Sequence, residues 1–270
     1  MSSTTITHPV RTPVRTPVRS PGADSPRPTF SGIPFGRLVR VEWGKATDTR
    51  AARWLLIAVA ASTVGLMLAP LLSPASIDQT YTSYLGFAAV ALSILLPVVS
   101  ILTLTSEWSQ RTALATFTQE PRRMRVVTAK ITVSLMLGAS AAVFGGLVTA
   151  AGLGVAAASG RTLDANLNAG LLLAFLLYVV LNVMTGVALG ALVHNSAAAI
   201  VASFVLPIGF ALLGRASQLV AEWLDYSTTF NWLLNGEWSG HTSQILVSVI
   251  LWVAIPLAAG LLRTARREIN

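Results

Sequence analysis

The chain has 270 residues, 53% of them hydrophobic and only 11% charged, with a mean hydropathy of +0.66. An ordinary soluble domain carries roughly 25% charged residues, so this composition excludes a soluble core and points to a single helical membrane domain. No cysteine is present, which excludes disulfides, thiolate metal sites and cysteine nucleophiles. The net charge of +8 follows the membrane topology worked out below, so no nucleic-acid partner is expected.

Residues 1–34 contain a tetrapeptide repeat, Val10-Arg11-Thr12-Pro13, Val14-Arg15-Thr16-Pro17 and Val18-Arg19-Ser20-Pro21, followed by more Pro, Gly and Ser. Such a stretch has too little apolar surface for a core and is expected to be a disordered, basic cytoplasmic tail, with attraction to anionic lipid headgroups as the sharper alternative. It lacks the apolar stretch and small-residue cleavage site of a signal peptide. Residues 35–53 then mix Phe35, Leu38, Val39, Glu42 and Trp43 with Arg37, Arg40, Lys45, Arg50 and Arg53. Apolar residues at helical spacing beside basic ones read either as an interfacial helix leading into the membrane or as a charged flank of the first span.

Six apolar segments follow, at about 54–72, 84–105, 128–158, 168–193, 196–214 and 243–262, each close to or above the ~20 residues needed to cross the hydrocarbon. They are continuous apolar runs, so helices rather than the alternating strands of a barrel are expected. Asp, Glu, Lys, Arg and His occur only at their margins. Pro97, Pro207 and Pro256 lie inside spans, and the Gly186-x-x-x-Gly190 spacing predicts close helix packing within the bundle in preference to a dimer face. The fold class is therefore an all-α membrane protein with six transmembrane helices over 35–270.

Orientation follows from the basic residues. Arg11, Arg15, Arg19, Arg27, Arg37, Arg40, Lys45, Arg50 and Arg53 precede the first span; Arg111, Arg122, Arg123, Arg125 and Lys130 lie between the second and third; Arg263, Arg266 and Arg267 follow the sixth. Only Arg161 and Arg215 remain for the other side. The positive-inside rule then places both termini in the cytoplasm, as a multi-pass protein of the plasma membrane.

Ion-coupled carriers and proton pumps need ionisable groups at membrane depth, and these spans carry none away from their margins. Asn182 is the most polar mid-span residue and is expected to bond between helices. His194 and Ser203 are a conceivable base and nucleophile, but no nucleophile elbow, His-Glu-x-x-His motif or carboxylate pair accompanies them, and His194 beside Asn195 and Ser196 reads as a cap. The only Gly-Lys pair, Gly44-Lys45, has Val39 in place of the first P-loop glycine and Ala46 in place of the magnesium-binding hydroxyl. If ATP drives the protein, another chain binds it.

The most informative loop is 106–130, SEWSQRTALATFTQEPRRMRVVTAK. Glu107 and Trp108 stand at the membrane boundary, Ala113, Leu114 and Phe117 are at helical spacing, Glu120-Pro121 breaks the run, and Arg122, Arg123 and Arg125 lead to Lys130. This pattern predicts a short amphipathic helix held between two membrane helices, or else an ordinary basic loop.

In Ser106-Glu107-Trp108, Arg111-Thr112, Glu120-Pro121-Arg122-Arg123 and Ala129-Lys130, with Trp43 and the basic lead-in, the chain resembles the permease subunits of ABC-2-type exporters. Many members have Gly where this chain has Arg111. The resemblance extends over about 35–267 and implies a coupling helix at about 108–120 seated in a cleft of a separate ATPase subunit, with 35–53 as a connector helix at the membrane surface. It implies ATPase-coupling roles for Glu107, Trp108, Arg111, Thr112, Phe117, Glu120, Arg122, Arg123 and Arg125, which are mechanical rather than catalytic. ATP and magnesium would sit on the partner, with no cofactor on this chain, and a second permease subunit would complete the pathway. Residues 215–242, rich in aromatics and acids, suit a helix re-entering the interface or an aromatic belt over the exit path. The alternative function is a membrane-anchoring or regulatory protein without transport activity.

Overall fold

The computed structural model describes residues 33–109, 122–164 and 167–266, apart from the side chains of Trp108 and Ser109. Within them the chain is all-helical, with a lone bridge between Thr80 and Asp164. Helix α1 (Phe35–Asp48) and helix α2 (Arg50–Leu66) are separate because Thr49 adopts extended angles, φ −72° and ψ 146°, and its hydroxyl accepts from the Ala52 amide to start a new helix. Helix α2 runs through Met67 into α3 (Leu68–Leu72). There follow α4 (Tyr81–Ser109), α5 (Arg123–Ala158), α6 (Ala169–Val193) and α7 (Ser196–Gly214). The last elements are α8 (Tyr226–Leu234), α9 (Trp238–Val249) and α10 (Ile255–Arg266).

Six helical segments among the described residues are long and apolar enough to cross a membrane: Arg50–Leu72, Tyr81–Glu107, Arg123–Ala158, Ala169–Val193, Ser196–Gly214 and Trp238–Arg266. Each contains or overlaps one of the six apolar runs. They reach further at several ends because helical hydrogen bonding carries past the last apolar residue, and a polar side chain does not by itself stop a helix. The expected short helix near 108–120 falls largely outside the described residues, although α4 itself continues through Ser109.

Helices α4 and α6 form the centre. Tyr84, Leu85, Ala88, Leu92 and Leu96 from α4 meet Val179, Val183 and Val187 from α6, all buried. The two backbones approach closely at Gly186, where a Cβ would lie 2.5 Å from the Pro97 carbonyl oxygen, and again at Gly190 beside Ile101. The glycine spacing is thus spent inside the bundle, as expected. Helix α7 lies outermost, with Ala199 its one buried residue, and offers its apolar side chains to lipid or to another chain.

The sixth span is not a plain α-helix. A π-helical turn at Ile250–Ala254 precedes Pro256, whose missing N–H would interrupt a regular ladder, so the wider turn absorbs the proline. That turn also presents Trp252, which donates to the Leu224 carbonyl at 2.8 Å and packs on Phe210 and Tyr226. Asp225 caps α8 by accepting from the Ser227 amide, and α8 buries Phe230, Leu233 and Leu234. Within 215–242, a π-helical turn at Val220–Leu224 and the short α8 therefore fold back onto the bundle.

Arg161, one of the two cations assigned to the outer side, ties the segment after α5 to the end of α3. Its guanidinium donates to the Pro70 and Leu71 carbonyls at the end of α3 and to Gln79, which also accepts from the Tyr84 hydroxyl. Free carbonyls at a helix C-terminus are natural acceptors for such a cation.

Candidate functional site

On α1 the residues Leu38, Glu42 and Lys45 are spaced by four and three, so they share one face, and Leu38 and Glu42 are buried against the bundle. The last turns of α4 bring Thr103, Ser106 and Glu107 to the same place, and Lys130 arrives from α5 as the eighth residue of that helix. Lys130 is 2% exposed, and its ammonium donates to Glu42 Oε2 at 2.5 Å, to the Thr103 carbonyl at 3.3 Å and to Ser106 Oγ at 3.3 Å. It lies 3.6 Å from Glu107 Oε1. Lys45 donates to Glu42 Oε1 at 2.6 Å and to Glu107 Oε1 at 3.1 Å.

Two carboxylates and two ammonium groups thus form one neutral network shared by three helices. A lone buried charge would cost several kcal/mol, and pairing with saturation of the ammonium protons is the arrangement that makes burial tolerable. Burial works against the charge of Lys45, yet its bonds and attraction to Glu42 and Glu107 outweigh that effect, and its pKa is raised above the ordinary lysine value of 10.5. The network therefore joins α1, the end of α4 and the start of α5, the last two being the helices on either side of residues 110–121.

A cavity of about 380 Å³ opens beside the joint, with Glu42, Lys45 and Glu107 at one end and Leu55, Leu56 and Val99 among its walls. A second chamber of about 290 Å³ lies between α4, α6, α7 and α8, where Ser93, Asn182 and Asn231 are set among apolar side chains. Asn182 donates to the Tyr178 carbonyl one turn back on its own helix, so the expected bond between helices is replaced by a local one. His194 ends α6 in the left-handed region, φ 55°, with its Nε2 2.8 Å from Thr264 Oγ1, while Ser203 donates to the Ile200 carbonyl. Arg263 donates to the Leu192 carbonyl, so α10 is pinned to the end of α6.

The residues expected to couple to a partner divide into three groups. Glu107 is buried and turned inward to Lys45 and Lys130. Arg122 is exposed at the N-terminus of α5, Arg123 is its first residue, and Arg125 donates to the Ile33 carbonyl at 2.6 Å, which ties α5 to the start of α1. Trp108 belongs to the last turn of α4, whereas Arg111, Thr112, Phe117 and Glu120 lie outside the described residues. Glu42 and Lys45 are members that the sequence did not single out, and Lys130, part of the Ala129-Lys130 pair noted in the sequence, was given no site role. The signal available for two of them was the shared face of Leu38, Glu42 and Lys45.

No family model, curated protein or solved structure matches the chain. Its own architecture makes it an all-α, multi-span membrane protein with a buried ionic joint at one end of the bundle.

Proposed function

We propose that the chain is the membrane subunit of an ATP-driven exporter of the ABC-2 type, seated in the plasma membrane with both termini in the cytoplasm. It works with a separate ATPase, which binds ATP and magnesium and docks on residues 110–121, and with a second permease subunit. The observation that carries this reading is the four-residue joint of Glu42, Lys45, Glu107 and Lys130. A push on residues 110–121 reaches α4, α5 and α1 together, because the enclosed Lys130 pairs with both Glu42 and Glu107. Packed, rigid elements of this kind are what transmit a domain closure over distance.

The exposed Arg122 and the adjoining Arg123 stand at the start of α5 and supply positive charge toward a docked partner. The test is purification of the tagged chain from its own cells. The proposal expects an ATPase to co-purify and to be lost when Arg122 and Arg123 are both replaced by Glu. A partner-free protein that keeps its cellular role without any ATPase would contradict it and favour an anchoring or regulatory protein.

A further inference from the structure

The cavity beside the joint is walled mainly by apolar side chains, among them Leu55, Leu56 and Val99, and is also lined by Thr49, Glu42 and Glu107. Between those two carboxylates sits the Lys45 ammonium, 2.6 Å from one and 3.1 Å from the other. This is a cation subsite facing an apolar chamber, filled by the chain's own side chain. The two lysines of the joint differ in what holds them. Lys130 is enclosed, with 2% of its side chain exposed, and also bonds Thr103 and Ser106; Lys45 has 41% of its side chain exposed and, among the described residues, bonds the two carboxylates alone. A flexible, strongly hydrated ammonium at such a position has solvent to return to.

When Lys45 turns outward, Glu42, Glu107 and Lys130 keep one net negative charge beside a chamber whose walls are mainly apolar, with hydroxyls from Thr49, Thr103, Ser106 and Ser196. Uncompensated buried charge is costly, so the vacated position selects a cation, and the hydrocarbon walls select one with an apolar body. The chamber volume of about 380 Å³ lies in the range of small-molecule sites, roughly 300–1,000 Å³. We propose that this chamber binds an amphiphilic organic cation, its ammonium head replacing Lys45 between Glu42 and Glu107 and its apolar body lying along Leu55, Leu56 and Val99. As a statement of substrate class it rests on the exporter reading, and it places loading at the end of the bundle that carries the joint. Occupancy by the substrate in place of Lys45 exchanges one member of the joint and so ties loading to the element that transmits the ATPase movement.

The binding itself is tested without any ATPase, so it stands or falls separately from the exporter reading. The full chain in nanodiscs of zwitterionic lipid is titrated with radiolabelled decyltrimethylammonium, with decanol as neutral competitor. Saturable binding of the cation is expected, with decanol a poor competitor. Lys45→Met, which removes the internal competitor, is expected to tighten binding about tenfold, the change that ~1.4 kcal/mol represents. Leu56→Trp, which fills the chamber and leaves every charge in place, is expected to abolish binding. Equal competition by decanol would make the chamber a groove for lipid chains and overturn the proposal. Unchanged affinity in both Lys45→Met and Leu56→Trp would place the cation elsewhere and overturn it as well.

Discussion

Lys130 Nζ lies 2.5 Å from Glu42 Oε2, a contact between α5 and α1 across 88 positions of sequence. Removing the ammonium leaves Glu42 and Glu107 to share Lys45, and breaking a buried ion pair from one side costs roughly 3–5 kcal/mol. Lys130→Met is therefore expected to lower the apparent Tm of the purified protein sharply. Adding Glu107→Gln restores charge balance and is expected to recover part of the loss. Thermal unfolding of the two variants in one detergent checks both statements, and a single variant as stable as the parent would contradict the joint.

The α4–α6 contact predicts an asymmetry between two glycines one turn apart. A Cβ at Gly186 would lie 2.5 Å from a backbone oxygen of Pro97, which has no rotamer to escape into, whereas at Gly190 the nearest atom is 3.4 Å away, an ordinary contact. Gly186→Ala is expected to destabilise by about 1–3 kcal/mol, the usual cost of overpacking, and Gly190→Ala by less than about 0.5 kcal/mol. Melting curves of the pair report the difference directly.

Arg161 bonds two carbonyls at the end of α3 and the side chain of Gln79. Arg161→Ala leaves these acceptors without their cation, at a cost of about 1–3 kcal/mol. The effect is local to that end, so hydrogen exchange should accelerate around residues 70–80 and leave the α1–α4–α5 joint protected.

Lys45 gives the joint a defined pH response. Its pKa is raised in the folded protein, so the stability it contributes is fully present below the ordinary lysine value of 10.5 and is lost as pH rises through the higher folded value. Stability is expected to be flat in this respect from about pH 7 to about pH 9, well below lysine titration. A decline above 10.5 should be smaller in Lys45→Met. Apparent Tm against pH for parent and variant measures the difference.

Six spans were legible in the sequence because continuous apolar runs of that length have few other uses, and the agreement of Arg122, Arg123, Arg263 and Arg266 on one side supported the same number. His194 as a helix cap and the packing glycines were legible for local reasons, a short turn and a one-turn spacing. The joint was not. Glu107 and Lys130 stand at the edges of apolar runs and Glu42 lies in the basic segment before the first, places where a charge ordinarily reaches out to water, and only the packing of three helices turns them toward one another. The extra reach of α4 through Ser109 moved Glu107 from a loop into a helix, which is why a residue expected to face a partner faces inward. Likewise Asn182 satisfies itself on its own helix, an option that spacing alone does not exclude.

The most direct test of the exporter reading uses the absence of native cysteine. A single Phe117→Cys is treated in native membranes with a short bifunctional crosslinker, with Arg215→Cys as the control for the other side. The account predicts an adduct with an ATPase subunit at position 117, altered by ATP and lacking at position 215. A full yield of uncrosslinked chain at position 117 in cells where the protein is functional would contradict it.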